Sequence, residues 1–352
     1  MAITVVVGAQ YGSEGKGKVV HYLARTASER PMVVRVGGPN SGHTVVRRNG
    51  DRLVLRQLPT PALIPGVRCV IGAGSYILPD LLANEVAEVR LSRGRLAIDP
   101  AAVVITADLV AAERESRLRE RIGSTESGTG AAVAQRVRRD TDIMFAKDYK
   151  PLRQWVQDTH EIMRRHLSAG GQLLVEGTQG YGLSVMRGEE YPFVTSRDTT
   201  AAGCIAEAGL SPLDVSDVVL VSRAFPIRVP GSSGPLRHEI GWQAVTEEGQ
   251  HDHPILEYTS VTHSVRRVAR VDPVLLRRAI SVNQPTRIVL NHLDYLDHRS
   301  CISSDITPTI AEFIERLEGE LDGRRIDLLG LGPSHIMNRP DDLSAAVLAE
   351  AS

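Results

Sequence analysis

The stretch from Ile3 to Val20 constrains the fold of this chain more than any other part of the sequence. Its apolar and β-branched start, Ile3 to Val7, predicts a short buried strand that ends at Gly8. Glycines at positions 8, 12, 15 and 17 then predict a tight loop that leads into a helix. Backbone N–H groups, the positive end of the helix dipole and the side chains of Lys16 and Lys18 would converge there. Proteins hold phosphate in this way, so the expected ligand is a nucleotide.

The loop is not a Walker A sequence, because that motif has Ser or Thr directly after its Gly-Lys pair and here Gly17 follows Lys16. A tight turn without a ligand is the alternative interpretation. A second glycine-rich segment, Gly37 to Thr44, follows a predicted buried strand at Met32 to Val36. Loops that follow parallel strands share one edge of a sheet, where α/β proteins bind ligands. The sequence therefore predicts an α/β fold, with a mainly parallel central sheet flanked by helices and a P-loop-like nucleotide-binding loop.

The composition is typical of a soluble globular protein, with 42% hydrophobic and 24% charged residues. A formal net charge of −1 gives no global attraction to nucleic acid or to a membrane surface, so neither is expected as a partner. The three cysteines are widely separated and show no metal-ligand spacing. No repeat, long linker or membrane-length apolar run occurs. We therefore expect a single domain over residues 1–352 in the cytoplasm.

Two segments carry a resemblance to a known family. Gly12 to Lys18 reads GSEGKGK, and Gly37 to Thr44 reads GGPNSGHT. They resemble the paired loops GDEGKGK and GGxNxGHT of the adenylosuccinate synthetases, and the resemblance extends over nearly the whole chain. It implies an adenylosuccinate synthetase-like fold. It also implies a Mg²⁺-dependent ligase that joins aspartate to a purine nucleotide and consumes a nucleoside triphosphate.

Ser13 is the main departure from the family pattern, which has an aspartate at this position. In the family that carboxylate takes the N1 proton of inosine monophosphate (IMP) and binds magnesium, whereas a serine hydroxyl is a poor general base. The same change resembles the phage branch, the 2-aminoadenylosuccinate synthetases, which accept deoxyguanosine monophosphate (dGMP) and lead to diaminopurine DNA. The 2-amino group of guanine adjoins N1, so a smaller side chain is physically reasonable there. Two alternatives stay open: an ordinary synthetase that uses IMP and GTP, and a catalytically inactive nucleotide-binding regulator.

The resemblance also implies site residues. The catalytic set is Ser13, Lys16 and His43, and Ser13 together with the carbonyl of Gly42 would bind Mg²⁺. The residues that bind the donor nucleotide would be Gly12, Ser13, Glu14, Gly15, Lys16, Gly17, Lys18, Gly42, His43, Thr44, Arg266, Asn291, Asp294, Gly332 and Pro333. Guanine-specific sites often have a lysine where His292 stands, and the phage branch is associated with adenine donors. ATP or dATP is therefore the preferred donor, with Asp294 able to accept a hydrogen bond from the adenine amino group.

The remaining implied residues bind the other two substrates. Those for the substrate nucleotide are Ser13, Asn40, Thr125, Arg139, Gln179, Thr195 and Val229. Arg139 would reach the phosphate bound in the neighbouring subunit, which implies a homodimer; a cation that ends a helix is the alternative interpretation. Aspartate would bind Thr262, Arg266 and Arg267, although His263 and Ser264 replace the Gly and Arg of the family loop. If the chain is of phage origin, the expected location is the host cytoplasm.

Several further elements are predicted from apolar patterns. Leu53 to Leu58, Gln172 to Val175 and Arg287 to Leu290 are expected to be strands. Leu109 to Arg121 and Pro151 to Ser168 are each expected to be one continuous helix.

Overall fold

The computed structural model describes residues 2–47, 49–259 and 263–343. The strands are β1 (Ala2–Gly8), β2 (Met32–Arg35), β3 (His43–Val46), β4 (Arg52–Leu55), β5 (Arg68–Ile71), β6 (Tyr76–Ile77), β7 (Leu96–Ile98), β8 (Val103–Val104), β9 (Gln172–Gly180), β10 (Val215–Arg223), β11 (Ile227–Arg228), β12 (Glu239–Ile240), β13 (Arg267–Ala269), β14 (Arg287–Asn291), β15 (Leu328–Leu329) and β16 (Met337–Asn338). The central feature of the fold is a nine-stranded sheet with the order β16-β15-β14-β10-β1-β9-β2-β5-β7. All neighbouring pairs in this sheet are parallel except β15 and β16.

Helices connect the strands of this sheet and cover its faces. They are α1 (Lys16–Thr26), α2 (Pro79–Glu88), α3 (Ala107–Glu115), α4 (Leu118–Ile122), α5 (Thr129–Arg138), α6 (Thr159–Ser168), α7 (Ala201–Ala208), α8 (Trp242–Glu248), α9 (Pro273–Asn283), α10 (Arg299–Ser303) and α11 (Pro308–Glu320). Among the described residues, no helix is long and apolar enough to cross a membrane.

The core lies on both faces of the sheet, as expected for parallel strands covered by helices. Val5 and Val7 of β1 point into one apolar cluster, with Val34 of β2 and Leu220 of β10. Val6 of β1 points into the other, with Val33, Leu174, Val219 and Val289 of neighbouring strands. Successive residues of one strand thus enter opposite clusters, which explains why β1 reads as an unbroken apolar run. The predicted α/β fold with a mainly parallel sheet is confirmed.

Parallel alignment brings several loops to one edge of the sheet. β1 is followed by the first glycine loop (residues 9–15), and β2 is followed by the second glycine loop (residues 37–42). Arg223 ends β10 and Asn291 ends β14. The carboxyl ends of parallel strands are where open α/β sheets bind ligands.

The predicted helix from Pro151 to Ser168 is confirmed from Thr159 onward and wrong before it. Lys150–Leu152 form only a 3₁₀ turn, and Val156 makes a β-bridge to Ile98. α6 begins at Thr159, where Asp158 caps it by accepting a hydrogen bond from the backbone N–H of Glu161 at 2.9 Å. Pairing with β7 therefore overrides local helix propensity before the cap.

Two other predicted elements differ in extent. The helix expected from Leu109 to Arg121 is broken at Arg117, whose φ of 51° ends the run between α3 and α4. The strand expected at Leu53 to Leu58 is β4, which pairs with β3 in a separate hairpin outside the central sheet. In that hairpin His43 lies opposite Leu55. This fold places the second glycine loop and His43 beside the first.

Candidate active site

The first glycine loop is folded around a buried ion pair. The carboxylate of Glu14 is fully buried and accepts hydrogen bonds from Lys16 Nζ at 2.6 Å and from the backbone N–H groups of Gln10 at 3.1 Å and Gly12 at 2.9 Å. Gly15 takes a φ of 88°, and no side chain caps the N-terminus of α1 in the described residues. The first amides of α1 thus keep the free donors that bind phosphate at a helix N-terminus.

His43 lies in a buried cluster next to this loop. Its Nδ1 is 2.5 Å from Oε1 of Glu176, and Arg35 Nη1 donates to the same oxygen at 2.6 Å. The other carboxylate oxygen of Glu176 accepts from the backbone N–H of Thr60 at 2.9 Å. A side chain at Gly17 would place its Cβ 2.7 Å from His43 Cβ, so glycine is required there for α1 to pack on the imidazole. The carboxylate fixes the ring from behind and leaves Nε2 facing away from it.

The free nitrogen of His43 is the chemically distinctive atom of this cluster. His43 Nε2 is buried and has no hydrogen-bond partner among the described residues. Burial and the cation of Arg35 lower the pKa of His43 to about 4, although the carboxylate of Glu176 opposes this shift. The imidazole is therefore neutral at pH 7 without a ligand. An anion next to Nε2 would favour the imidazolium and raise this pKa again.

Two arginines converge on Ser13, which has an exposed side chain and a φ of 58°. Arg266 Nη1 donates to Ser13 Oγ at 2.8 Å, and Arg223 Nη1 donates to the backbone carbonyl of Ser13 at 3.1 Å. Ser13 is thus surrounded by positive charge where the resembled family has a carboxylate.

A buried carboxylate supports these arginines. Glu257 pairs with Arg223, which is fully buried, and accepts a hydrogen bond from the hydroxyl of Tyr295 at 3.1 Å. Burial alone would raise the pKa of Glu257, but the cations of Arg223 and Arg266 outweigh it and lower this pKa to about 2. Glu257 therefore stays ionised and is too weak a base to accept a substrate proton.

Replacement of Glu257 by Gln should lower the free energy of unfolding by about 3 kcal/mol at pH 7, because it leaves Arg223 buried without its counter-charge. The pKa of Glu257 is about 2 when folded and 4.5 ordinarily. The wild-type advantage should therefore be complete above pH 4.5 and be lost as the pH falls towards 2. Urea unfolding at pH 7 and at pH 3 tests both statements.

Glu239→Gln is the matched control, since Glu239 pairs with Arg267 at 2.5 Å with 41% of its side chain exposed. An exposed pair of this kind contributes about 0–1 kcal/mol. Equal losses in the two variants would contradict the structural role given to Glu257.

The loops after β14 and β15 meet the first glycine loop on its other side. Lys18 Nζ donates to the carbonyl of Gly332 at 3.0 Å, and Asn291 Nδ2 donates to the carbonyl of Glu14 at 2.8 Å. Burial lowers the pKa of Lys18 to about 8, opposed by Asp294, and burial raises the pKa of Asp294. The predicted donor-binding residues of distant segments are therefore neighbours, with exposed Pro333 following Gly332.

The predicted substrate-nucleotide residues lie on other segments. Gln179 is the penultimate residue of β9 and has a φ of 62°, and its buried Oε1 has no partner among the described residues. Thr195 donates its backbone N–H to the carbonyl of Leu183 at 2.8 Å. Thr125 Oγ1 donates to Ser127 Oγ at 3.4 Å. None of these contacts occupies the Gln179 amide oxygen, which is available to a ligand.

Three other predicted residues of this set are less enclosed. Asn40 lies in the second glycine loop and is half-buried, as is Val229, whose carbonyl accepts from Ser233 Oγ at 2.5 Å. Arg139 is exposed just after the end of α5, and no side-chain partner of it occurs among the described residues. Its guanidinium is thus not committed within the described part of its own chain.

The predicted aspartate-binding residues are separated. Arg266 contacts Ser13 and donates from Nε to the carbonyl of Tyr258 at 3.0 Å. Arg267 instead pairs with Glu239 and donates to the carbonyl of Gly234 at 2.7 Å. Thr262 lies outside the described residues. Of the two arginines, only Arg266 is brought to Ser13.

The predicted Mg²⁺ site offers only a few protein oxygen atoms that could bind the ion. Within the described ranges, no group of three His, Cys, Asp or Glu side chains could hold a metal ion, and the carboxylates of Glu14 and Glu257 are already paired. The hydroxyl of Ser13 keeps a second lone pair beside the one that Arg266 uses, and the carbonyl of exposed Gly42 is a second hard oxygen. These donors fit a Mg²⁺ that is bound chiefly by phosphate oxygens and water.

Motif reasoning missed the residues that support the site. Arg35, Glu176, Arg223 and Glu257 have no role in the predicted set. A signal was present for two of them, because Arg35 and Arg223 are charged residues at the ends of apolar strands, MVVR and VVLVSR. A charge in a buried strand requires a partner, but sequence alone does not identify that partner.

Comparisons with known proteins agree with this arrangement. The family model for adenylosuccinate synthetase matches residues 5–146 and 143–311. The adenylosuccinate synthetase of Pyrococcus horikoshii is 34% identical over 353 residues, covering 97% of this chain and 100% of the relative. That of Methanocaldococcus jannaschii is 33% identical over 342 residues, covering 95% of each chain.

Two solved structures are similar over almost the full length. The succinoaminodeoxyadenylate synthetase of cyanophage S-2L, bound to dGMP and to dATP as an energy donor, has a TM-score of 0.82 and 29% identity over 99% of both chains. The fully ligated adenylosuccinate synthetase of Plasmodium falciparum has a TM-score of 0.85 at 20% identity, covering 97% of this chain and all of that one, and shows the shared fold. This chain therefore belongs to the adenylosuccinate synthetase family, the nucleotide-dependent and Mg²⁺-requiring carbon–nitrogen ligases that join aspartate to a purine nucleotide.

Proposed function

We propose that this ligase joins L-aspartate to C6 of dGMP, with hydrolysis of ATP or dATP, and gives the N6-succinyl derivative of 2-aminodeoxyadenylate. The observation that carries the proposal is Ser13, held by Arg266 and Arg223 where the family has an aspartate. The similar cyanophage enzyme is bound to dGMP and dATP, which supports the same substrate and donor here. Diaminopurine deoxynucleotide synthesis is then the process that uses the product.

The mechanism has two steps, and the first is phosphoryl transfer from the donor to O6 of the purine. The nucleoside diphosphate is the leaving group, and the N1 proton of the purine passes to solvent water. The open amides of α1, Lys16 and Lys18 hold the triphosphate, since such transfers depend on positioning and on compensation of charge. His43 Nε2 contacts O6 and the transferred phosphoryl group, whose negative charge favours the imidazolium. Ser13 and the Gly42 carbonyl would hold Mg²⁺ together with the phosphates, and the ion would supply further charge compensation.

The second step replaces the phosphate on C6 by the amine of aspartate. Arg266 lies at the junction of the two substrates, because it contacts Ser13 directly. The Gln179 amide binds the purine. Thr125, Thr195 and Asn40 bind the nucleotide sugar and phosphate, and Arg139 of the neighbouring subunit completes this set in a homodimer.

An adenine donor is favoured by the loop after β14. His292 stands where guanine-specific sites carry lysine, and burial holds its pKa well below its usual range, so it is uncharged. Asp294 is an acceptor for the adenine amino group, and burial raises its pKa above the ordinary value. An enzyme that draws on nucleotide pools works in the cytoplasm, which is the host's if the chain comes from a phage.

Phosphate release by the purified protein tests the proposal, with Mg²⁺ and aspartate present. The four assays combine dGMP or IMP as substrate with ATP or GTP as donor. We expect release with dGMP and ATP and little with IMP. Release confined to IMP with GTP would identify an ordinary adenylosuccinate synthetase, and no release in any assay would favour a nucleotide-binding regulator.

A further inference from the structure

Arg197 is a buried cation whose charge the surrounding residues compensate poorly. Only 5% of the residue is exposed. Both terminal nitrogens approach one hydroxyl, Thr178 Oγ1, at 3.3 Å, and Nε has no partner among the described residues. A guanidinium offers five N–H donors. Most of these donors are therefore left without a good acceptor in a place that excludes water, which is costly unless a ligand supplies acceptors.

The carboxylate nearest to Arg197 is a weak counter-charge. Glu207 Oε2 is 3.2 Å from Arg197 Nη2, but this oxygen makes no hydrogen bond in the described residues. Burial raises the pKa of Glu207 to about 7 despite Arg197 and Arg136. The carboxylate of Asp198 already accepts hydrogen bonds from the hydroxyl groups of Ser184 and Thr200. Neither carboxylate thus accepts a hydrogen bond from Arg197 among the described residues.

The guanidinium lies at the ligand-binding edge of the sheet. A Cβ at Gly37 would be 2.4 Å from Arg197 Nη1 and 2.3 Å from Thr178 Oγ1. Arg197 thus packs against the second glycine loop after β2 and against the end of β9. At the next position, a Cβ at Gly38 would be 2.7 Å from Thr129 Oγ1, so α5 meets the same loop.

Four predicted substrate-nucleotide residues belong to segments that meet near Arg197. Asn40 follows Gly37 in the same loop, Gln179 follows Thr178, and Thr195 precedes Arg197 by two positions. The fourth residue, Thr125, is connected through hydroxyl groups to Thr129, which packs against the loop at Gly38. Thr125 Oγ1 is 3.4 Å from Ser127 Oγ, and Ser127 Oγ is 2.9 Å from Thr129 Oγ1. No other guanidinium has been assigned to this group of residues from within the chain.

We propose that Arg197 binds the 5′-phosphate of the purine nucleotide substrate, as the cation that the chain itself provides for this phosphate. Planar guanidinium groups match phosphate oxygens with paired, charge-assisted hydrogen bonds. The proposal deepens the proposed function and rests on it, because it needs a nucleotide monophosphate at this edge. The 5′-phosphate is common to dGMP and IMP, so the role of Arg197 does not depend on which purine is used.

Steady-state kinetics of Arg197→Gln and Arg197→Lys test the proposal, with whichever of dGMP and IMP the wild-type enzyme uses. In Arg197→Gln, the KM for the nucleotide should rise by roughly two orders of magnitude, the loss expected for a charge-assisted phosphate contact. The KM values for ATP and aspartate should stay within about threefold. Lysine keeps the charge and loses the paired geometry, so its KM for the nucleotide should rise about tenfold.

Calorimetric binding separates a phosphate contact from a structural role. Wild-type protein should bind dGMP much more tightly than deoxyguanosine, and both Arg197 variants should lose this preference without losing deoxyguanosine binding. Arg95→Gln is the matched control, because partly buried Arg95 donates only to backbone carbonyls, those of Val67, Ala62 and Ile64 at 2.7–2.9 Å. It should leave the preference for the phosphate unchanged.

Three results would overturn the proposal. One is an unchanged nucleotide KM in Arg197→Lys, which decides the question even if Arg197→Gln fails to fold. Another is an equal rise in KM for all three substrates. The third is an unchanged ratio of dGMP to deoxyguanosine affinity. A different result would contradict the proposed function alone. In that case the wild-type protein would prefer IMP, and replacement of Arg197 would still raise the KM for IMP.

Discussion

Replacement of His43 by Asn is expected to lower kcat by about a thousandfold, because it removes the group proposed to contact O6 of the purine as this oxygen attacks the donor phosphate. Loss of one preorganised donor to a developing charge typically costs about 10²–10³ in kcat. Here the imidazole is held by a 2.5 Å contact to Glu176 and keeps a buried, unpartnered Nε2. Asn is shorter and cannot present a donor at the same place. The KM values for dGMP and ATP should change by only a few-fold, since the contact matters most in the transition state.

His21→Asn is the matched control for this prediction. His21 is a half-buried histidine of α1, and its Nδ1 lies 3.4 Å from the carbonyl of Thr60, next to the same cluster. Its replacement should leave kcat within about threefold, because its described ring contact is to the carbonyl of Thr60, which lies outside both glycine loops. The measurement is initial phosphate release at saturating substrates, together with urea unfolding of each variant. A similar fall in kcat for both histidines would refute the specific role given to His43.

Ser13→Asp should shift the substrate preference towards IMP. The ratio of kcat/KM for IMP to that for dGMP should increase by about a hundredfold, the size of a general-base contribution. The new carboxylate would pair with Arg266, whose Nη1 now lies 2.8 Å from Ser13 Oγ, and would face N1 of the purine. It would also crowd the 2-amino group that only guanine carries.

Ser13→Asn separates the two causes, because asparagine has the size of aspartate without its charge. If crowding alone sets the preference, both variants should lose dGMP activity and neither should gain IMP activity. If the missing base matters, only Ser13→Asp should gain it. An unchanged substrate ratio in Ser13→Asp would remove Ser13 from the specificity argument.

Local sequence patterns predicted the parts of the fold that depend on neighbouring residues. The apolar run of β1 and the glycines after it define strand, loop and helix because each choice is made within a few positions. The segment before Thr159 was mispredicted, because the bridge between Val156 and Ile98 joins residues that lie far apart in sequence. Long-range pairing of this kind overrides helix propensity and leaves no local signal.

The same limit applies to the site. The pattern of strands and glycines predicts the glycine loops and Lys16, and the resemblance to the family motif adds His43. The pairs that hold them, Arg35 with Glu176 and Ser13 with Arg266, join residues 141 and 253 positions apart. Buried charges in apolar strands indicate that each charged residue has a partner, but only the folded chain identifies that partner.

The central position of β1 has a consequence for the order in which the protein becomes functional during synthesis. β1 is made first, yet its sheet partners are β9, which begins at Gln172, and β10, which begins at Val215. Pairings between such distant segments are slow to form, and an N-terminal strand must wait for its partners to leave the ribosome. The nucleotide loop at the start of the chain is therefore among the last parts of the sheet edge to acquire its shape. A nascent chain shorter than about 220 residues should not retain nucleotide, even though its phosphate-binding motif is complete.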